Sequence, residues 1–542
     1  MEEDPAAELK AATDKALEST SAKKLVVAGP GSGKTYLFKK LLERAGGGAD
    51  DRLVLTFVNS LKEDLERSLG DSAKVFTLHG YSQSLLHRDA NLRGGLSTDF
   101  ICYPGLRSFI SEDWEILRGG AAPAFIALMR KLECSDELGA YYMERCDFYD
   151  AVDFDDGVYR VLLGFKKDRK SVPTPRLTLV DEFQDFNAME AEVIAYLAEA
   201  GPIVLAGDDD QALYGNLRNA SWDHIRKHYA GTDYEHFHLP FCMRCTQVIV
   251  DAVNEVLTVA KDLKKLAGRI EKPFRFYEPM KGPDSQTYPT IDLVTTSVQS
   301  NAANYIGRFI EERLRAISAE DIAEAEKNHE PVALIIGSKP YLPQVEDHLR
   351  SVGLLADEDG DKESPRELAL KMLKDNPHSN LAWRIILSLG DRETRMKSIR
   401  LAAEKALSLS EVLPEDLRAA VLKEVAEFVP PVIEEKEAPK SVMNIQTRSY
   451  ESAKGLTAQH VFLLGLQEGD LPRQANNVTD MEICKFLVGL TRTKKKCTIV
   501  LTRRFAGTQV KAPSPFLRWI TARRFNSIKV DAAYWRASEA RK

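Results

Sequence analysis

Short apolar runs recur along the chain, and several are followed by segments whose apolar residues have helical spacing. They lie at residues 24–28, 53–57, 177–180, 203–206, 332–336, 461–464 and 497–501. Runs of this length are typical of strands buried on both faces, and their alternation with helices is typical of parallel sheets covered by helices. The pattern therefore predicts the α/β class.

The strand-like runs fall into two groups that are separated by stretches without strand signals. We predict two α/β cores, each carrying a mainly helical insertion, which agrees with the several domains expected for 542 residues. The predicted first core comprises residues 1–80 and 171–238, with an insertion at 81–170. The predicted second core comprises residues 239–356 and 441–530, with a reduced insertion at 357–440 and a basic C-terminal tail at 531–542.

Composition narrows the class of protein further. With 44% hydrophobic and 29% charged residues, the chain is expected to be globular, and no apolar run reaches the roughly 18 residues of a membrane span. The first ten residues are acidic where a secretory signal would be basic and then apolar, so a cytoplasmic location without membrane contact is expected.

The seven cysteines indicate a reducing compartment rather than a disulfide framework. Cys242 and Cys245 have C-x-x-C spacing, but no second pair or nearby histidine completes a zinc site, so two buried thiols are the favoured interpretation.

The net charge of −7 argues against a surface that is basic throughout, although a local basic groove for nucleic acid is compatible with it. One candidate groove is the C-terminal stretch, and a solvated tail and helix face is the alternative. Its basic residues are Arg503, Arg504, Lys511, Arg518, Arg523, Arg524, Lys529, Arg536, Arg541 and Lys542.

A glycine-rich loop lies between the first predicted strand and a predicted helix. It consists of Ala28, Gly29, Pro30, Gly31, Ser32, Gly33, Lys34 and Thr35. Glycines in this context let successive N–H groups and a helix N-terminus face a phosphate, while the lysine reaches the β/γ oxygens and the hydroxyl is offered to Mg²⁺. The loop predicts nucleotide binding.

Two adjacent carboxylates, Asp181 and Glu182, follow the strand-like run at 177–180. They are thereby placed at the carboxyl end of a strand, where α/β proteins bind ligands. We predict that Asp181 holds Mg²⁺ and that Glu182 polarises the attacking water. An acidic turn that caps the next helix is the alternative, which the upstream Lys34 disfavours.

Several ordered blocks then resemble the motifs of the UvrD/Rep group of superfamily 1 helicases. After the phosphate loop they are residues 55–59 (LTFVN), 77–80 (TLHG), 180–185 (VDEFQD), 207–215 (GDDDQALYG), 243–246 (MRCT), 452–456 (SAKGL) and 488–493 (VGLTRT). The resemblance covers about residues 25 to 525. It implies two RecA-like P-loop motor domains that use ATP and Mg²⁺ and move on single-stranded DNA, including at duplex junctions.

The resemblance also assigns roles to residues. It implies that Gln211 senses the γ-phosphate and that Arg244 and Arg492, both from the second core, neutralise the transferring phosphoryl group. Gly455 lies in the fifth block and is implied at the nucleotide. The DNA candidates are Thr56, Phe57, Asn59, His79 and Tyr214, and for Phe57 base stacking and core packing are equally open.

The chain departs from the family pattern around the base and sugar. The first glutamine is Gln83, so the adenine-reading glutamine before the phosphate loop is missing, and Met243 occupies the position of the adenine-stacking aromatic. Tyr36 is a substitute candidate for stacking. Thr457 stands where many relatives have a ribose-contacting glutamate, and the run after Tyr214 lacks the usual aromatic-Arg-Gly sequence.

The leading hypothesis is an ATP-dependent DNA translocase and helicase with 3′ to 5′ polarity, acting in DNA repair or in antiviral defence. The alternative is a non-unwinding ATPase subunit whose nucleotide state switches a partner such as a nuclease.

Overall fold

The computed structural model describes residues 4–296, 302–338, 340–356, 364–429, 443–501 and 510–539. Its strands are β1 Lys23–Ala28, β2 Arg52–Thr56, β3 Lys74–Thr77, β4 Ile101–Cys102, β5 Ala151–Val152, β6 Leu177–Val180, β7 Ile203–Gly207, β8 Glu235–Leu239, β9 Phe241–Cys242, β10 Arg275–Phe276, β11 Ile291–Thr296, β12 Ala333–Ile336, β13 Ile445–Arg448, β14 Ala458–Leu464, β15 Thr493–Leu501 and β16 Phe525–Val530.

The α-helices alternate with these strands or cluster in the two insertions. They are α1 Pro5–Glu18, α2 Lys34–Ala45, α3 Asn59–Leu69, α4 Leu78–Arg88, α5 Ala90–Arg93, α6 Leu106–Leu117, α7 Phe125–Arg130, α8 Asp136–Tyr149, α9 Phe154–Lys167, α10 Ala188–Ala200, α11 Gly215–Arg218, α12 Asp223–Ala230, α13 Gln247–Asp262, α14 Glu278–Thr287, α15 Ala302–Arg315, α16 Ala319–Lys327, α17 Leu342–Ser351, α18 Pro365–Asp375, α19 Asn380–Leu389, α20 Arg392–Lys405, α21 Leu409–Val412, α22 Glu415–Glu427, α23 Asp480–Thr491 and α24 Ala532–Glu539.

Within the described residues the first core contains a six-stranded sheet in the order β3-β2-β6-β7-β1-β8. Every neighbouring pair is parallel. Strands β2, β6 and β7 are apolar along nearly their whole length because helices cover both faces of the sheet. The carboxyl ends of β1, β6 and β7 therefore meet at one edge, which brings the phosphate loop and Asp181 together.

The second core repeats this plan with a six-stranded sheet in the order β13-β12-β14-β15-β11-β16. Its paired strands are also parallel. The prediction of an α/β protein with two RecA-like parallel-sheet cores is confirmed. The segment at 241–287 precedes this sheet, and its helix α13 packs against α23 in an apolar cluster of the second core that also includes Leu213 of the first core.

The two helical insertions pack on each other. The first runs through α4 to α9, and the described part of the second runs through α18 to α22, with α20 against α6 and α19 against α8. Their interface contains the buried carboxylate of Asp113, which accepts hydrogen bonds from Arg145 at 2.6 Å, from Tyr149 at 2.6 Å and from Arg384 of the second insertion at 3.3 Å. Residues 430–442, at the end of the second insertion, lie outside the described residues.

The C-terminal basic stretch divides into parts with different surroundings. Arg503 and Arg504 lie outside the described residues, whereas the guanidinium of Arg524 pairs with Asp251 at 2.6 Å. Residues 532–539 form α24, whose Trp535 is buried in the core of the second motor. This part of the predicted tail is therefore a packed helix.

The remaining general expectations concern membranes and thiols. Among the described helices, none has both the length and the apolar character needed to cross a bilayer. Cys242 and Cys245 are free and buried, and the backbone N–H of Cys245 lies 3.4 Å from the sulfur of Cys242.

We predict that Asp113→Ala destabilises the protein, because it leaves the buried guanidiniums of Arg145 and Arg384 without their shared carboxylate. Loss of one partner of a buried ion pair costs about 3–5 kcal/mol. The measurement is the urea unfolding midpoint. Lys397→Ala is the control, because it removes only an exposed pair with Glu393, and exposed pairs contribute little to stability. Equal midpoints for the two variants would contradict the structural role of Asp113.

Candidate functional site

The phosphate loop connects β1 to the N-terminus of α2 and needs glycine at two positions. Gly31 and Gly33 have φ values of +67° and +91°, in the left-handed region that favours glycine. A Cβ at Gly31 would lie 2.3 Å from the Cβ of Arg244, and one at Gly33 would lie 2.5 Å from the Cε of Met243. Glycine is therefore required at both positions for two reasons, the left-handed backbone of the loop and the close approach of Met243 and Arg244.

A backbone hydrogen bond fixes that approach. The N–H of Met243 donates to the carbonyl of Gly31 at 2.8 Å. Met243 and Arg244 follow β9 directly, so this bond holds both side chains against the loop. The guanidinium of Arg244 in turn donates to the carbonyl of Thr491 at 3.3 Å, which joins the fourth and sixth sequence blocks.

A cavity of about 940 Å³ opens between the two cores at the phosphate loop. Its lining includes the loop from Pro30 to Thr35, both predicted carboxylates and residues of the second core. The ammonium of Lys34 lies 3.9 Å from the carboxylate of Glu182 and donates to the carbonyl of Ala28 at 3.3 Å. Lys34, Asp181 and Glu182 are thus brought together as the sequence predicts.

The backbone and the charge of Glu182 both indicate a functional position. Its φ of +53° is rare outside glycine, and such conformations cluster at active sites. Burial opposes its ionisation, but Lys34 and Lys454 outweigh burial and hold its pKa below the ordinary value. Burial and the neighbouring Glu182 raise the pKa of Asp181. Glu182 is accordingly the more acidic of the two carboxyl groups.

Lys454 is a residue that the sequence analysis missed. Its buried ammonium lies 3.4 Å from Glu182, donates to the carbonyl of Gln211 at 2.5 Å and pairs with Asp185. A lysine inside a matched block could have been selected, because a buried ammonium requires carboxylate partners. The sequence, however, does not show that Asp185 and Glu182 would supply them.

Arg492 and Gln211 meet across the cavity. The guanidinium of Arg492 is 2% exposed and donates to the side-chain oxygen of Gln211 at 2.9 Å. In the described part of the chain no carboxylate lies within 4 Å of it, and burial together with Arg244 lowers its pKa to about 9. A buried guanidinium without a carboxylate partner at a cavity wall is suited to an incoming anion.

The hydroxyl of Thr35 and the carboxylate of Asp181 line the same cavity. One oxygen of Asp181 accepts the N–H of Glu182 at 3.0 Å. Hydroxyl and carboxylate oxygens are the donors that Mg²⁺ prefers, so this pair fits the predicted metal. Bound there, Mg²⁺ would neutralise charge on the phosphate oxygens.

The positions that the family resemblance associates with the base and the sugar are occupied by Met243 and Thr457, which both line the cavity. Met243 and Met280 line it, while Tyr36 is exposed beside Lys40, and Gly455 lies opposite against Leu61. At the ribose-associated position, the hydroxyl of Thr457 donates to the carboxylate of Glu330 at 3.1 Å. Glu330 is a second lining residue that the sequence analysis did not select.

The predicted DNA residues lie around one aromatic cluster. The ring of Phe57 is 3% exposed and packs 4.9 Å from the ring of Tyr214 and 5.7 Å from that of Phe186, which favours core packing over stacking for this residue. Thr56 is buried, and Asn59 is exposed at the start of α3. DNA contact by this set stays a prediction.

His79 contacts Arg218 rather than solvent. Burial and Arg218 lower the pKa of His79 to about 3, so its ring is neutral. Its Nε2 lies 2.8 Å from the guanidinium of Arg218 and can accept a hydrogen bond from it. The same guanidinium lies 4.7 Å from the centre of the Phe57 ring. His79 is therefore suited to hold Arg218 in place.

Two exposed apolar side chains lie next to His79 and Arg218, and the sequence analysis did not select either of them. Leu217 is 61% exposed, and Phe154, whose ring lies 6.0 Å from that of His79, is 47% exposed. An exposed aromatic ring beside an arginine is the pairing that stacks on bases and contacts phosphates. Phe154 and Arg218 join the candidates for DNA contact.

Comparisons with known proteins agree with this geometry. A family model described as an AAA domain matches residues 10–216. The ATP-dependent DNA helicase PcrA of Staphylococcus aureus is 24% identical over 397 residues, which cover 64% of this chain and 53% of that helicase. The ATP-dependent DNA helicase UvrD1 of Mycobacterium leprae is 26% identical over 295 residues, 43% of this chain and 37% of that protein. The chain thus spans about half the length of the curated relative PcrA.

Two RecA-like cores that enclose a phosphate loop, paired carboxylates and buried cations define the tandem-motor class of P-loop proteins. Within that class the chain is similar to UvrD-like helicases of superfamily 1, as the sequence blocks predict.

We predict that Glu182→Gln preserves ATP binding and lowers ATP turnover by about 100-fold or more, because the amide keeps the shape but cannot accept a proton. The measurements are nucleotide affinity and steady-state turnover. Glu199→Gln is the control, since Glu199 is an exposed residue paired with Arg169. Loss of ATP binding in Glu182→Gln would instead make Glu182 a structural residue.

Proposed function

We propose that the protein is an ATP-driven translocase and helicase that moves 3′ to 5′ on single-stranded DNA and acts at duplex junctions. The observation that carries the proposal is the set of second-core cations at the first-core site. Arg492 donates to Gln211, and Lys454 lies beside Glu182. The polarity rests on the family resemblance.

The arrangement supports hydrolysis that depends on closure of the two cores. Lys34 is on the first core, whereas Arg244, Lys454 and Arg492 belong to second-core blocks, so a triphosphate is surrounded only when the cores meet. Charge on the transferring phosphoryl oxygens has to be neutralised in the transition state. Each cycle of ATP binding and product release then closes and reopens the cleft, which is the motion a stepping motor requires.

The DNA side would use backbone contacts and base stacking. Phe154 offers an exposed ring, and Arg218 is a partly exposed cation that lies 3.4 Å from Glu190. Tyr214 contacts the same Phe57 ring as Arg218, and Asn59 is exposed at the start of α3. Stacking tolerates any base, so the proposed binding is independent of sequence. DNA repair and antiviral defence are both compatible cellular roles for such a motor.

A second candidate function is a non-unwinding ATPase that switches a partner such as a nuclease. The described part of the second insertion, 364–429, is small and packs against the first insertion through Arg384, Arg395 and Asn380. A motor whose insertion is engaged in this way could translocate and leave strand separation to a partner.

The test is ATP turnover with and without single-stranded DNA, followed by strand displacement on 3′-tailed and 5′-tailed duplexes. We expect single-stranded DNA to stimulate ATP turnover strongly and strand displacement to prefer the 3′ tail.

Lys34→Ala should abolish both activities because it removes the cation at the β/γ-phosphates. Lys40→Ala is the control and should retain them, because Lys40 lies on the same helix but in an exposed pair with Glu43. Stimulation without displacement would support the switching subunit, and turnover indifferent to DNA would contradict both functions.

Base selectivity should be weak. Met243 and Met280 line the cavity and offer packing rather than edge-reading hydrogen bonds, which are what reject the wrong base strongly. We expect GTP or CTP to support DNA-stimulated hydrolysis within about tenfold of ATP, a gap of about 1.4 kcal/mol. The measurement is kcat/KM for the four nucleotides at saturating DNA. A preference for ATP beyond about a hundredfold would show that another residue reads adenine.

A further inference from the structure

Three consecutive buried carboxylates follow β7, and three cations compensate them. Asp208, Asp209 and Asp210 lie 2.9, 2.8 and 2.7 Å from the ammonium of Lys272, whose side chain is 2% exposed. Arg269 donates twice to Asp210, at 2.7 and 2.8 Å. Arg226 donates to Asp209 at 2.9 Å. The charges balance, so the cluster does not require a metal ion.

The carboxylate of Asp208 links this cluster to the nucleotide site. One oxygen faces Lys272, and the other accepts the side-chain amide N–H of Gln211 at 2.7 Å. The amide oxygen of Gln211 then accepts from Arg492 at 2.9 Å. Since an amide has one donating and one accepting end, the bond to Asp208 decides that the oxygen of Gln211 points at Arg492.

Asp208 also contacts the carboxylate side of the site through its backbone. Its N–H donates to the side-chain oxygen of Gln184 at 2.9 Å, and the amide nitrogen of Gln184 donates to Glu182 at 2.5 Å. A shift of Asp208 would therefore disturb both Gln211, which contacts Arg492, and Gln184, which contacts Glu182. Lys272 comes from the segment between α13 and β10, outside the blocks that carry the family resemblance.

We infer that Lys272 is a positioning residue for ATP hydrolysis, which acts through Asp208 to orient the amide of Gln211 toward Arg492. Without the ammonium, Asp208 would be a poorly compensated buried carboxylate, and its hold on Gln211 would weaken. The inference rests on the proposed function, because its consequence is measured as ATP turnover.

The same cluster supplies a matched control. Arg226 also neutralises a buried aspartate, Asp209, but Asp209 makes no described bond to Gln211. If the cluster were purely structural, removal of Lys272 and removal of Arg226 would have similar effects on kcat. A positioning role predicts that the loss of Lys272, but not that of Arg226, slows the hydrolysis step and lowers kcat.

The experiment measures kcat, the KM for ATP and the melting temperature of Lys272→Met and Arg226→Gln with saturating single-stranded DNA. We expect Lys272→Met to lower kcat by roughly 30-fold with a KM within about threefold of wild type. Arg226→Gln should lower kcat by less than about threefold, even where the melting temperature falls equally. Equal kcat losses in the two variants would overturn the inference.

Coupling to Gln211 separates positioning from a fold effect. In a Gln211→Ala background, Lys272→Met should cost less than about threefold in kcat, because the amide it positions is already absent. Additive losses would overturn the inference and leave the proposed function intact. If wild type shows no ATP turnover, the proposed function fails and this inference with it.

Lys272→Met alone leaves excess negative charge in the core, so a charge-balanced variant protects the test against misfolding. The double variant Asp208→Asn with Lys272→Met removes one charge of each sign. It should match the kcat of Asp208→Asn alone within about threefold. A further large loss would mean that Lys272 acts by a route other than Asp208 and would overturn the inference.

Discussion

The cation requirement of the phosphate site determines how the two cores are joined. A triphosphate and two carboxylates cannot share one buried cavity unless positive groups surround them, and Lys34 is the cation that the phosphate loop provides. Further cations come from the other core, through Arg244, Lys454 and Arg492. The bond from Met243 to Gly31 and the two left-handed glycines are what allow these groups to come close enough.

Burying so many charges is tolerated because nearly every one is paired before ligand arrives. Lys454 lies among Glu182, Asp185 and the carbonyl of Gln211, and Lys272 lies among three aspartates. Removing one member of such a set lowers the free energy of unfolding by far more than the intact pair adds relative to apolar residues in the same place. Among the described residues, the hydrogen-bond partners of the buried Arg492 are neutral oxygens. Its guanidinium is therefore available for an anion.

Local sequence patterns predicted the parts of the fold and site that depend on contiguous residues. The phosphate loop, the carboxylates after β6 and the seven apolar runs each follow from a few adjacent positions. Strands β3, β8, β11, β13 and β16 of the two six-stranded sheets were not predicted. Polar residues interrupt their apolar pattern, for example Glu235, Asp292 and Asn526. Lys454 and Lys272 were missed because their importance depends on partners far away in sequence.

The aromatic cluster beside the cleft would give a physical route between the proposed DNA surface and the proposed ATP site. The ring of Tyr214 contacts Phe57, and its hydroxyl donates to the carbonyl of Glu451 at 3.0 Å. Glu451 precedes Lys454 by three residues in the segment that leads into β14. A strand of DNA that displaced Tyr214 would therefore move the segment whose lysine lies 3.4 Å from Glu182. Packed side chains transmit such shifts because close-packed interiors leave little room to absorb them, so the proposed DNA contact and the carboxylate predicted to activate water would be mechanically connected.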